Sequence, residues 1–167
     1  MTNIRRYFRP GNVYFLTHVT YERRPILVSH FDDLWDAIQR VKNDYDFNIL
    51  AWCVLPDHFH ILIDPIKSQT SSIMRRIKLS FSSKYRRSIA NKSGRVWQYR
   101  FWDHQIRSQS DLNRHIDYIH YNPVKHALAK SPAEYRLSSF SEYAIRGYYP
   151  ADWGNIETID IDGQFGE

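Results

Sequence analysis

The 167-residue sequence predicts an α+β fold: a ferredoxin-like split βαβ arrangement, with helices packed on one face of a central antiparallel sheet. Three observations lead there. Short runs rich in β-branched, aromatic and other apolar residues lie at 13–20, 47–55 and 59–63. Apolar residues recur at helical spacing near 31–45, 72–90 and 110–121. Their order, with a further extended stretch at 96–106, is strand, helix, strand, strand, helix, strand, helix.

Val13 to Thr20 follows the turn-forming Pro10-Gly11-Asn12 and reads as the first strand. A helix from Phe31 to Tyr45 spaces Leu34, Ile38, Val41 and Tyr45 along one stripe. Ser29 can cap it, and Asp32 and Asp33 complement the dipole of its first turn. Phe47–Leu55 and Phe59–Ile63, joined by Pro56-Asp57, read as an antiparallel hairpin. The polar loop Ser68–Ser72 leads into a helix from Ser72 to Ala90 with Ile73, Ile77, Phe81 and Ile89 as its apolar ridge. Asn91–Gly94 breaks that helix, and Val96–Ile106, with Trp97, Tyr99, Phe101 and Trp102, reads as extended and partly buried. A last helix starts near Ser110-Asp111 and runs to about Tyr121 on Leu112, Ile116 and Ile119. Residues 1–149 are expected to form one domain and residues 150–167 an acidic, loosely packed tail.

Composition narrows the function classes. No run approaches the roughly 18 apolar residues of a membrane span, and Arg5, Arg6 and Arg9 precede no apolar segment of a secretory signal. The single cysteine, Cys53, excludes an intrachain disulfide, fits a reducing cytoplasm, and reads as a small buried hydrophobe. Charge is unevenly distributed. Between Lys67 and Arg100 ten basic residues stand without one carboxylate, so the remainder of this +5 chain carries −5. Ordinary surfaces intersperse signs, so such a run points to a polyanion such as a DNA backbone.

Two constellations can carry chemistry. His58 and His60 flank Phe59, and strand alternation turns both imidazoles to one side, where they can share a cation. Histidine pairs at this spacing also occur on plain surfaces. Tyr118 lies off the Leu112/Ile116/Ile119 stripe, which would leave its hydroxyl facing outward, and Asn122 follows one turn later. The alternatives are a boundary tyrosine at position 118 and, before Pro123, an Asn122 that caps a further short helix through His126. Two histidines, an oxygen ligand and no thiolate suit Mg²⁺ or Mn²⁺, and a cation polarising a phosphoryl oxygen is what attack on a phosphodiester requires.

The blocks Arg5-Arg6-Tyr7, Val54–His60, Trp97–His104 and Asp117–His126 together resemble the REP-associated tyrosine transposases, domesticated relatives of the single-tyrosine HUH insertion-sequence transposases; the resemblance spans about residues 4–154. It implies the HUH nuclease fold, His58 and His60 as cation ligands, and Tyr118 as the nucleophile that retains a 5′-phosphotyrosine and releases a 3′-hydroxyl. Asn122 stands where the wider class carries a helical glutamine as third ligand, and the shorter amide departs from that pattern. Implied substrates are single-stranded repetitive palindromic elements folded into hairpins, cleaved and rejoined by a monomer that is cytoplasmic and nucleoid-associated. Arg5, Arg6, Arg75, Arg76, Lys78, Lys84, Arg86, Arg87, Arg95, Trp97, Arg100 and Trp102 are the candidates for holding that DNA. Two other readings stay open: a non-catalytic hairpin DNA- or RNA-binding module with a vestigial site, and a metallonuclease using activated water. If Tyr118 is not the nucleophile, Tyr121 is the next candidate. The acidic tail is expected to cover the basic site.

Overall fold

The computed structural model describes residues 12–90, 93–150, 152–155 and 165. The chain runs β1 (Tyr14–Val19), α1 (Phe31–Asp44), β2 (Phe47–Val54), β3 (His58–Pro65), α2 (Thr70–Ser88), β4 (Trp102–Gln105), α3 (Gln109–Lys125) and α4 (Phe140–Ile145). All strand pairs are antiparallel, in the order β2-β3-β1-β4. This is the expected α+β sheet, with β1 and β3 at its centre.

The helices, however, divide between both faces of the sheet rather than sharing one. Leu16, Phe59, Ile61 and Ile63 face α1 and α2, meeting Leu34, Ile38, Ile73, Ile77 and Phe81. Phe15, Leu62 and Cys53 face α3 and α4, meeting Leu112, Ile116, Ile119, Phe140 and Tyr143. The physical reason is that both faces of the sheet carry apolar residues, Leu16, Phe59, Ile61 and Ile63 on one and Phe15, Ala51, Cys53 and Leu62 on the other, and each must be covered.

Local differences have local causes. His30, not Ser29, stands at the N-cap of α1 and makes no side-chain cap bond; the Ser29 hydroxyl donates back to the Ile26 carbonyl at 3.1 Å. The α2 ridge holds Ile73, Ile77 and Phe81 but ends on Tyr85, because the helix stops at Ser88 and leaves Ile89 exposed. The extended stretch 96–106 splits in two. Trp97 bridges to Thr20 at the end of β1, and β4 pairs with Tyr14–Thr17, while Tyr99 between them stands in solvent.

Asn122 does not begin a new helix: α3 continues through Pro123 to Lys125. Leu128 N–H donates to the Pro123 carbonyl (2.8 Å) and Ala127 N–H to that of Val124 (2.9 Å), with Ala127 at φ 55°. This is a Schellman closure, which satisfies the last carbonyls and lets the helix run past the proline. Residues 137–139 lie along the β2 edge, and the Leu137 and Trp52 carbonyls accept from Val54 and Ser139 N–H. Among the described residues, no strand pairs with the outer edge of β4. The described part of the tail is packed rather than loose: the Trp153 ring lies 4.2 Å from that of Tyr149, and Phe165 is 5% exposed. Among the described residues no helix is long and apolar enough to cross a membrane.

Candidate active site

The histidine pair is placed by a tight hairpin. Leu55 N–H donates to the His58 carbonyl (2.8 Å), leaving Pro56-Asp57 as a two-residue turn, and Leu27 and Thr20 N–H groups hold the two turn carbonyls. Alternation along β3 then sends His58 and His60 to the α3 face, their ring centroids 5.0 Å apart and nearly perpendicular.

Hydrogen bonds select the tautomers. His58 Nδ1 lies 2.6 Å from Asp57 Oδ1, a carboxylate that can only accept, so Nδ1 carries the proton. Thr17 donates its one hydroxyl proton to the Phe165 carbonyl (2.9 Å), so its oxygen accepts from His60 Nδ1 at 2.8 Å. In the neutral rings both Nε2 atoms therefore keep their lone pairs. A histidine held through Nδ1 by a second group is the arrangement of a metal ligand. Burial raises the Asp57 carboxyl, but the hydrogen bond from His58 and the ion pair with Arg23 at 3.0 Å hold it below its ordinary value.

Tyr118 meets this pair from α3. Its ring centroid lies 5.3 Å from that of His60. The outward-facing hydroxyl expected from the helical stripe is not observed: Tyr118 is 2% exposed. The buried arc of α3 is wider than Leu112, Ile116 and Ile119, and takes in His115, Tyr118 and Asn122. Phe165 stacks on the Tyr118 ring at 3.7 Å and 11°. Lys125 Nζ donates to the Tyr118 hydroxyl at 3.3 Å and sits 5.0 Å from the ring centroid. Asn122, one turn after Tyr118, is fully buried. Tyr121 is turned toward Trp153 (6.2 Å).

Several contributors escaped sequence reasoning. Thr17 reaches His60 only because β1 and β3 pair in the register Thr17↔His60. Phe15 stacks on His60 at 5.4 Å, and His126 lies 5.1 Å from His58. Lys125 was detectable, being seven residues and two turns from Tyr118. Nothing in the sequence pointed to Phe165.

The candidate DNA-binding residues scatter more. Arg5 and Arg6 lie outside the described residues. Arg75, Arg76, Arg87, Arg95 and Arg100 are exposed, and Lys78 and Arg86 are half-buried. Lys84 is committed to Asp33 (3.0 Å) and Asp36 (2.8 Å), so its charge is compensated. Trp97 is a core residue, 7% exposed against Phe59 and Phe81, which takes it out of reach for base stacking. Trp102 is 37% exposed and pairs with Thr17, which places it on the sheet face that carries His60. A groove of about 360 Å³ lined by Arg75, Lys78, Arg86, Arg95, Tyr99 and Phe101 opens beside α2.

Comparison with known proteins fits this geometry. Residues 12–122 match the family described as transposase, IS200-like. The chain is 37% identical over 161 residues to the REP-associated tyrosine transposase of Escherichia coli (strain K12), covering 95% of this chain and 94% of that one. A relative from Haemophilus influenzae is 34% identical over 175 residues, with 98% and 99% covered. A solved structure of a REP-associated tyrosine transposase bound to a REP hairpin superposes with a TM-score of 0.80 at 36% identity, over 100% of this chain and 98% of that one. The chain thus belongs to the IS200-like transposase family, among its REP-associated tyrosine transposases.

Proposed function

We propose that this transposase cleaves single-stranded DNA at hairpin-forming palindromic elements through a covalent bond to Tyr118, with a divalent cation on His58 and His60. The approach of Tyr118 to His60 across the β3–α3 interface carries the reading. Nε2 of each histidine supplies a ligand, and the buried amide of Asn122 is assigned as the third. Mg²⁺ or Mn²⁺ there would polarise a phosphoryl oxygen of the scissile linkage. The Tyr118 oxygen then bonds to phosphorus, the bond to the 3′-oxygen breaks, and a free 3′-hydroxyl leaves. Phenol is a poor nucleophile at neutral pH. Lys125, whose ammonium donates to the same oxygen, favours the phenolate that attack requires. The retained phosphotyrosine conserves the bond energy needed for rejoining.

The basic groove lies on the α1/α2 layer and Tyr118 on the α3 layer, on opposite faces of the sheet. DNA held by both passes around the β4 edge, where Tyr99, Arg100 and Trp102 are exposed. The chain acts as a monomer in this reading, and residues 1–149 form its catalytic domain.

The test is a 3′-labelled single strand carrying a hairpin, incubated with protein and Mn²⁺ or Mg²⁺, because the phosphotyrosine retains the fragment on the 3′ side of the cut. The expected result is a protein–DNA adduct on a denaturing gel that is absent with Tyr118→Phe and with chelator. An adduct that survives Tyr118→Phe moves the nucleophile elsewhere, to Tyr121 first. Cleavage with no adduct from the native protein points to activated water instead.

A further inference from the structure

A second group of ligating side chains lies outside this site. His104 of β4 and Asp111 and His115 of α3 each bring one donor atom within 4.8 Å of the other two. His104 Nε2 is 2.8 Å from Asp111 Oδ2, and His115 Nδ1 is 3.1 Å from Asp111 Oδ1. The two imidazoles are stacked, 4.7 Å between centroids and 12° from parallel. We propose that His104, Asp111 and His115 form a second cation site, of the zinc class, which clasps the edge strand β4 to the helix that carries Tyr118.

The geometry favours a cation over a helix cap alone. The cap is already complete: Ser108 accepts from Asp111 N–H (3.0 Å), and Asp111 Oδ2 accepts from Arg107 N–H (3.0 Å). That leaves two stacked imidazoles converging on one carboxylate, a surplus that a cap does not call for. Stacked rings in contact repel one another if both are protonated. Burial also lowers His115 to about 4, so it is neutral at physiological pH; without a cation its Nδ1 donates to the Asp111 main-chain carbonyl at 2.8 Å, and a cation on Nδ1 takes the place of that proton as the ring shifts to the Nε2–H tautomer. Burial raises the Asp111 carboxyl, but its hydrogen bonds from His104 and Arg107 N–H hold it below its ordinary value, so it is ionised.

Two imidazoles and one carboxylate, with a fourth position left to solvent, are a recurrent zinc donor set. Ligand atoms around tetrahedral zinc stand about 3.3 Å apart, a contraction that rotation of the His104 side chain can supply. His104, 26% exposed, is also the entry path. Phe15 separates this group from the histidine pair, its ring 4.8 Å from His115 and 5.4 Å from His60. Arg114, 3.2 Å from Asp111 Oδ1, already brings a positive charge there, and its half-exposed side chain can swing away.

The site is tested by titrating the full chain with Zn²⁺, and with Co²⁺ as a coloured probe, counting bound metal after desalting and following Tm. A chain with both His58 and His60 replaced by Ala is expected to retain a cation, and adding His104→Ala is expected to remove it. In the otherwise native chain, His104→Ala is expected to abolish the rise in Tm that Zn²⁺ produces, and Asp111→Asn, which keeps the cap, to weaken binding at least about tenfold. His104 sits on an exposed edge strand, so its loss leaves the fold intact for comparison. Metal content and Tm response unchanged by His104→Ala, or no cation left once His58 and His60 are gone, would overturn the proposal. None of these readouts depends on DNA cleavage, so the outcome is separable from that of the Tyr118 experiment.

Discussion

At the scale of single residues, the site depends on groups that touch its histidines rather than on the histidines alone. Asp57 fixes the His58 tautomer through one 2.6 Å bond, so Asp57→Asn should weaken cation binding at the histidine pair by about 10–100-fold. Isothermal titration with Mn²⁺ measures it, and unaltered affinity would remove Asp57 from the site. His18 is a different kind of buried histidine. It lies between Phe59 (5.2 Å) and Phe101 (4.6 Å), and among the described residues neither ring nitrogen has a hydrogen-bond partner. Burial first, and the nearby Lys78 charge second, hold its pKa well below 6.5. The folded state therefore binds fewer protons than the unfolded state below that pH. Its contribution to stability is complete above pH 6.5 and is lost as pH falls toward the folded pKa. Denaturation from pH 7 to 5 should show a smaller loss of stability in His18→Leu than in the native chain. Equal slopes would mean that His18 is not desolvated.

At the scale of elements, boundaries were read less well than the elements themselves. Every expected strand and helix exists, yet β4 is shorter and α3 longer than periodicity indicated. The proline rule failed at Asn122-Pro123 because a proline close to a helix C-terminus costs one hydrogen bond, and the Schellman closure beyond it recovers the carbonyls. That closure places Ala127 in the left-handed region, where a Cβ costs about 1 kcal/mol. Ala127→Gly should therefore stabilise the protein by up to about 1 kcal/mol in urea denaturation, with the m-value unchanged. A loss of stability would indicate that the cap geometry is not maintained. Trp97 shows the same limit from another side. Its basic, aromatic neighbours made it read as a base-stacking residue, and only its approach to Phe59 and Phe81 makes it core.

At the scale of the whole molecule, the two ends of the chain's chemistry meet over Tyr118. The expected cover over a basic surface was acidic; the contact observed is aromatic. Phe165 stacks on Tyr118, and its carbonyl accepts the Thr17 proton that sets the His60 tautomer. An aromatic pair of this kind contributes about 1 kcal/mol, so its loss should raise the open population about fivefold. Phe165→Ala, or truncation after Asn155, should increase nicking of the hairpin substrate by a similar factor. Truncation there keeps Trp153, which packs on Tyr149 and Phe140. Unchanged or reduced nicking in both variants would show that Phe165 supports the site rather than covering it. Glu157, Asp160, Asp162 and Glu167 lie outside the described residues.

The sequence by itself determined the α+β class, the His58–His60 pair on one strand face, and the concentration of positive charge between Lys67 and Arg100. Each follows from local rules: apolar period, strand alternation and uncompensated charge act over a few residues and survive any folding context. Helical phase relative to Asn122, together with the resemblance of its motifs, put Tyr118 ahead of Tyr121 as the candidate. Tertiary structure alone decided which side of the sheet each helix covers, that Tyr118 is buried against His60, that Thr17 holds the His60 ring proton, and that Phe165 stacks on Tyr118. Those facts rest on strand register and helix docking between residues as much as 148 positions apart, as Thr17 and Phe165 are. No local pattern encodes such a distance, because it is the buried faces of the whole chain, satisfied together, that choose it.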